Sequence, residues 1–329
     1  MSTLDHFTRL ERCLAGEPVD RIPVALWRHF PVDDQSPDGL AAAIIAFQDT
    51  YDFDLIKVTP ASSYCLHDWG VTDRWEGDPE GTRTYIHHPI QNPEDWDRLP
   101  LLDPQRGALG DMLRTLHLLK KYYGSKVPIL QTIFSPLAQA KNLAGEDRLI
   151  LHLRTAPDAL HAGLKRITET TLTFVEALKG IGIDGIFFAV QHARFSVLSA
   201  SEFREFGRAY DLNILDAVRD FWLNIGHIHG ENIMFEQIRG YPVQVLNWHD
   251  QQTPPSLKEA LEQVPVAVCG GLSQWSTMAL GTPEDVRREA SKAIQETQGR
   301  RFILGTGCVL PIITPHGNIR AAREAAAAI

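Results

Sequence analysis

The stretch Phe221-Trp222-Leu223-Asn224-Ile225-Gly226-His227-Ile228-His229-Gly230 decides how this chain is read. An apolar run that ends in polar residues and glycine reads as a short buried strand. Side chains alternate faces along a strand, so His227 and His229 share one face, about 6.6 Å apart along the rise. Two imidazoles at that spacing can lean on one metal ion. Facing an interior together without a partner, they are costly.

The same unit repeats outward in both directions. Downstream, a short helix at 231–238 precedes a strand at 241–248. A helix at 256–263, capped by Ser256, precedes a strand at 264–271. A helix at 283–297, opened by Thr282-Pro283-Glu284-Asp285, precedes a strand at 302–305, and a closing helix covers 315–328. Upstream, a helix at 201–219 with Ser199 or Ser201 as cap follows a strand at 184–190. Helical segments over 135–180, broken near Gly145 and Pro157, follow a strand at 127–132. Earlier still come a helix at 4–16, a strand at 22–27, an Ala-rich helix at 38–51 and a strand at 53–58.

Strand thus alternates with helix eight times, near residues 24, 55, 130, 187, 224, 245, 267 and 303. That pattern predicts an α/β fold, a (β/α)8 TIM barrel formed as one domain over 1–329. An open doubly wound sheet is the alternative, but no Gly-rich fingerprint follows an early strand. The 60–110 stretch between the second and third strands is irregular and rich in Trp, Pro, Asp and Gly. Tyr85-Ile86-His87-His88 within it reads as one arm of a hairpin, and 109–123 as a helix. A connection this long is usually functional or a small subdomain.

A barrel of this kind carries its active site at the carboxyl ends of its strands. There the first strand offers Trp27-Arg28-His29, the fourth Gln191-His192 and the fifth His227-Ile228-His229. The sixth offers Asn247-Trp248-His249-Asp250 and the eighth Thr306-Gly307-Cys308. His227, His229 and Cys308 make a three-ligand metal site with an open fourth position, the layout of a catalytic zinc. Arg28 and Asn247 are the candidates for binding substrate. His192, His249 and Asp250 are candidate catalytic residues. A lone strand-end histidine is also a common structural residue, so His192 and His249 stand open between proton carrier and structural support. Asp250 and Glu231 are placed to orient a histidine. Lys57 is either a site cation or an ion-paired interior residue, and Asp33-Asp34 reads as a solvated loop. Cys13, Cys65 and Cys269 read as small buried apolar residues.

Composition narrows the function class. The chain has 329 residues, 44% hydrophobic and 22% charged, as in ordinary globular proteins. A formal net charge of −9 argues against nucleic-acid binding. No stretch approaches the roughly 18 uninterrupted apolar residues of a membrane span. Met1-Ser2-Thr3-Leu4-Asp5-His6 lacks the basic start and apolar core of a signal peptide. Four cysteines without a Cys-x-x-Cys pair point to a reducing, cytoplasmic setting.

Over nearly its whole length the chain resembles the uroporphyrinogen decarboxylase superfamily. Arg21-Ile22-Pro23-Val24-Ala25-Leu26-Trp27-Arg28 is similar to the family's amino-terminal motif, and Phe53-Asp54-Leu55-Ile56-Lys57-Val58 to its second-strand motif. Gly305-Thr306-Gly307-Cys308, with Pro311, Thr314-Pro315 and Asn318-Ile319, resembles the closing motif of the zinc-dependent methyltransferase branch. His227-Ile228-His229-Gly230 resembles that branch's His-x-Cys-Gly, with histidine for cysteine. The decarboxylase branch has a second arginine where Val32 stands and an aspartate where Thr59-Pro60-Ala61-Ser62-Ser63 offers none.

The resemblance implies a zinc enzyme that transfers a methyl group to a thiol or other small acceptor. A corrinoid would come from a separate protein, since the chain shows no corrinoid-binding domain. It also implies two alternatives: decarboxylation of a uroporphyrinogen-like acid with Arg28 as anchor, and a non-catalytic tetrapyrrole- or corrinoid-binding barrel. A homodimer is implied by the decarboxylase branch.

Overall fold

Each apolar run that alternates with a helix becomes one stave of a parallel sheet, because a helical return sets consecutive strands side by side in one direction. The computed structural model describes residues 3–327. Its strands are β1 (Ile56–Val58), the pair β2 (Thr72–Arg74) and β3 (Thr84–His87), then β4 (Ile129–Phe134) and β5 (Gly185–Val190). There follow β6 (Ile225–Ile228), β7 (Val245–Trp248), β8 (Ala267–Leu272) and β9 (Phe302–Thr306). Seven pair in parallel in the order β1-β4-β5-β6-β7-β8-β9. Every residue of these seven strands is buried, as a sheet covered by helices on one side and packed on itself on the other requires.

The eighth stave is residues 22–28. It runs parallel to β9, with Val24 beside Leu304 and Arg28 beside Leu310. It touches its neighbours at points rather than along a ladder, because Pro23 has no N–H and the Val24 N–H goes to Asp54 Oδ2 at 2.7 Å. On its other side the Asp54 N–H donates to Val24 O at 2.8 Å. That bond ties the stave to the chain entering β1 and completes the (β/α)8 ring.

Asp54 is the anchor of the amino end. Fully buried, it accepts from Arg9 Nη1 at 2.7 Å and from Arg21 Nη1 at 2.6 Å, with His6 Nδ1 at 3.0 Å. Burial alone pushes a carboxyl upward, but the bonds from His6 and Arg21 hold Asp54 at about 2. Between these ends, Phe188, Trp248 and Phe302 are fully buried. A side chain of that size contributes about 1.5–3 kcal/mol when buried.

Helix boundaries follow local chemistry. The first helix, His6–Ala15, is capped by Asp5 and stops at Gly16 in the left-handed region. Ser199, Ser256 and Thr282 each form a reciprocal capping box. The helix expected over 231–238 is only Phe235–Ile238, preceded by Asn232 at φ 51. The closing helix is His316–Ala325, and residue 328 lies outside the described residues. No described helix is long and apolar enough to cross a membrane.

The irregular stretch between β1 and β4 contains the expected hairpin, β2 antiparallel to β3. Its tip folds back over the carboxyl end of the barrel. Ile312 N donates to Pro79 O at 2.7 Å, and Trp275 Nε1 donates to Glu80 Oε1 at 2.7 Å. Gly81 permits this approach: it sits at φ 78, and a Cβ there would meet His29 Cβ at 2.6 Å.

Candidate functional site

The carboxyl ends of β6, β7 and β9 bring together His227, His229, His249 and Cys308. One ligand atom from each lies within 4.8 Å of all the others. His249 Nε2 is 3.4 Å and Cys308 Sγ is 3.6 Å from His229 Nδ1. The expected trio therefore meets, and His249 joins it as a fourth candidate ligand rather than standing off as a proton carrier.

Neighbours determine which nitrogens face the cluster. In the parallel register of β6 and β7, His227 sits beside Asn247. The Asn247 amide donates from Nδ2 to Cys269 O at 2.9 Å and to Thr306 O at 3.0 Å. Two carbonyls fix the amide's orientation, so its oxygen must face His227 Nδ1, 2.7 Å away. An amide oxygen only accepts; His227 therefore carries its proton on Nδ1 and presents the Nε2 lone pair. The Gln252 side-chain amide lies 3.0 Å from His249 Nδ1 and holds that ring in place. Phe187 stacks on the His227 ring at 5.2 Å.

Electrostatics agree with ligand duty. Burial, and then the neighbours His229 and His249, keep His227 well below the usual imidazole range. Burial and then His249 push His229 down to about 3. Both rings are neutral near pH 7, the form a metal requires. Burial, with Glu80 adding to it and Lys57 opposing it, raises the Cys308 thiol to about 11. A bound cation would displace that proton. Three imidazoles and one sulfur in a partly buried cluster, with the His227 lone pair aimed into it, suit zinc.

His227, His229 and Cys308 form part of the wall of a cavity of about 330 Å³. Trp27, Pro60, Phe134, Phe187 and Val309 supply its apolar surface, and Lys57, Arg83, Lys141 and Glu80 its charges. Arg83 is committed to Asp34 at 2.7 Å and Asp73 at 3.4 Å. Asp34, expected in a solvated loop, is thereby buried in an ion pair. Arg83, Lys141 and Glu80 escaped the sequence reading because no local pattern marks them. The length of the irregular stretch was the one available signal for Glu80 and Arg83.

Several expected roles change. Arg28 does not line this cavity. Its guanidinium lies 5.2 Å from the Phe30 ring and donates to Ile312 O at 3.2 Å, so the expected substrate anchor faces away from the site. Asn247, expected to bind substrate, is fully buried behind His227 with its amide spent on three partners. His192 is buried outside the cavity lining, with both ring nitrogens without a hydrogen-bond partner. Asp250 accepts from Gly271 N at 3.0 Å and from Gln251, and makes no hydrogen bond to a histidine among the described residues. Glu231 is exposed and makes no hydrogen bond to a histidine among the described residues.

Comparison with known proteins gives the same architecture. The methylcobamide:CoM methyltransferase MtbA of Methanosarcina mazei is 24% identical, over 97% of this chain and 96% of the relative. A uroporphyrinogen decarboxylase of Chlorobium limicola is 28% identical over 69% of this chain and 67% of its own length. A solved methyltransferase from Methanosarcina mazei superposes with a TM-score of 0.86 at 20% identity, covering 98% of each chain. The family described as uroporphyrinogen decarboxylase (URO-D) matches residues 5–329, and the chain belongs to that family.

Proposed function

We propose that this chain is a zinc-dependent methyltransferase that passes a methyl group from a corrinoid, carried by a separate protein, to a small thiol. The observation that carries the reading is the His227–His229–His249–Cys308 cluster opening on a cavity at the carboxyl end of the barrel. The likeness to the methylcobamide:CoM methyltransferases supports the reaction class. On this reading the chain works as one barrel domain in the cytoplasm, and the family resemblance implies a homodimer.

His227, His229 and Cys308 would hold the metal, with His249 in reach as a fourth ligand. Zinc held there would lower the pKa of an acceptor thiol and keep it nucleophilic at neutral pH. One thiolate among neutral imidazoles leaves the centre with a net positive charge, so its Lewis acidity is high. Asn247 and Phe187 fix the His227 ring and its tautomer. Trp27, Phe134, Phe187 and Val309 exclude water from the acceptor's side of the cluster.

The test is demethylation of methylcobalamin by the zinc-loaded protein with 2-mercaptoethanesulfonate and a panel of other thiols, followed by the cobalt chromophore. Turnover that needs both thiol and zinc, and is lost in Cys308→Ala, is expected. Carbon dioxide release from uroporphyrinogen without methyl transfer to any thiol would overturn the proposal.

A further inference from the structure

Among the described residues Glu80 is the one carboxylate in the wall of the cavity, and it comes from the hairpin rather than from a strand end. The tip of the hairpin is built to hold it. Asp78 Oδ1 accepts from the Glu80 N–H at 2.8 Å, and Trp75 Nε1 donates to Asp78 O at 3.0 Å. The Trp275 indole donates to Glu80 Oε1 at 2.7 Å. A neutral indole orients a carboxylate without cancelling its charge, and Oε2 accepts no hydrogen bond among the described residues.

The cations of the cavity do not balance that charge. Arg83 is held by Asp34 and Asp73. Lys141, on the helix Pro136–Ala144, donates to the neutral Asn142 Oδ1 at 3.0 Å. Lys57 answers to burial first and then to Cys308, and not to Glu80. The groups that feel Glu80 belong to the metal cluster. Burial comes first at the Cys308 thiol and Glu80 second, both pushing it up. Burial pulls His249 down, while Gln252 and then Glu80 act the other way. In the empty cluster the Glu80 charge works against a thiolate; a dication between the two turns the same placement into attraction.

Zinc bound by one thiolate and neutral imidazoles keeps a positive charge, and Lys57 and Lys141 line the same cavity. A positive centre in a partly buried place is costly unless a counter-charge stands near it. We infer that Glu80 is the counter-charge of the metal centre, a positioning residue that the hairpin carries to the Cys308 and His249 side and that stays outside the ligand set. The residues whose ligand atoms meet within 4.8 Å do not include Glu80, which is why its part is electrostatic and not coordination. The inference rests on the proposed metal centre and adds the hairpin to it.

Two measurements on the full chain test this. Competition with a chromophoric chelator gives zinc affinity, and cobalt(II) in place of zinc reports the ligand set through its d–d and thiolate charge-transfer bands. Glu80→Gln keeps an oxygen for the Trp275 indole and removes only the charge. It is expected to weaken zinc about threefold to thirtyfold at low salt. The loss should shrink as salt rises from about 0.01 M to 1 M, which a purely structural role would not produce. The cobalt bands should stay as in wild type. Trp275→Phe keeps the charge but frees the carboxylate, and its zinc affinity should fall between the two. Equal zinc affinity in wild type and Glu80→Gln, or a loss that salt does not change, overturns the inference; altered cobalt bands overturn it by making Glu80 a ligand. Should Glu80→Gln fail to fold, Trp275→Phe reads the same quantity: a salt-dependent loss supports the inference, and unchanged affinity overturns it. A wild type that binds no zinc removes the metal centre and the counter-charge together, whereas zinc bound tightly with Glu80 indifferent removes the counter-charge alone.

Discussion

Asn247→Leu separates what holds the metal centre from what holds the fold. The substitution removes the acceptor 2.7 Å from His227 Nδ1 and the donor to Cys269 O and Thr306 O. Without that acceptor, His227 is free to protonate on Nε2 and to turn, so fewer molecules present a lone pair to the cluster. Loss of such a supporting partner weakens metal binding about 10–100-fold, or about 1.4–2.8 kcal/mol. The two orphaned carbonyls destabilise the metal-free protein by roughly 1–3 kcal/mol each. Asn247→Asp shifts the balance: an acceptor for His227 remains, but a carboxylate oxygen now faces two carbonyls. Its zinc affinity stays near wild type while its stability falls at least as far. Zinc affinity is measured by competition with a chromophoric chelator, and stability by urea denaturation with metal removed. A folded Asn247→Leu protein that binds zinc within about twofold of wild type would refute the tautomer argument.

Three further outcomes are expected. Asp54→Asn leaves Arg21 without its buried counter-charge and Arg9 with Asp20 alone, and loses about 3–5 kcal/mol at pH 7 by urea denaturation. Because Asp54 is held at about 2 against an ordinary 3.8, its stabilisation is complete above that ordinary value and fades as pH falls toward 2; the gap between wild type and variant should close over that window. Gly307→Ala places a Cβ 2.6 Å from His249 Cα and 2.8 Å from Trp248 O, so the strand end carrying Cys308 must move. It should lose about 1–3 kcal/mol and bind zinc more weakly, and unchanged values of both would count against the packing described. His249→Ala should keep zinc with reduced affinity while Cys308→Ala loses it, a contrast checked by metal analysis after dialysis.

The alternation of apolar runs with helices made the barrel legible, and the predicted strands near 24, 55, 130, 187, 245, 267 and 303 fall on or beside a stave, while the run read as a strand over 221–225 precedes the paired residues Ile225–Ile228. The first stave is the least regular, for a reason visible in Pro23. The His227-x-His229 spacing was readable because strand periodicity alone puts both rings on one face. Roles that depend on register between strands were not. Asn247 lies beside His227 and Cys269 only once β6, β7 and β8 are aligned, and nothing local announces that alignment. Arg28 was misread although the same periodicity held the answer. Trp27 faces the cavity, so the next residue along the stave faces away. Lys57 obeys the rule in the other sense, with its side chain inward between Ile56 and Val58. Asp250 follows the strand rather than ending it, and its carboxyl turned back onto the β8 backbone instead of a histidine.

The most direct test of the account is X-ray absorption at the zinc edge on protein purified from zinc-supplemented culture. One zinc per chain is predicted, with a single sulfur at about 2.3 Å and nitrogens at about 2.0–2.1 Å, and with the sulfur shell gone in Cys308→Ala. A protein that holds no stoichiometric metal, or a zinc surrounded only by oxygen and nitrogen in the wild type, would contradict the assignment of His227, His229 and Cys308 as its ligands.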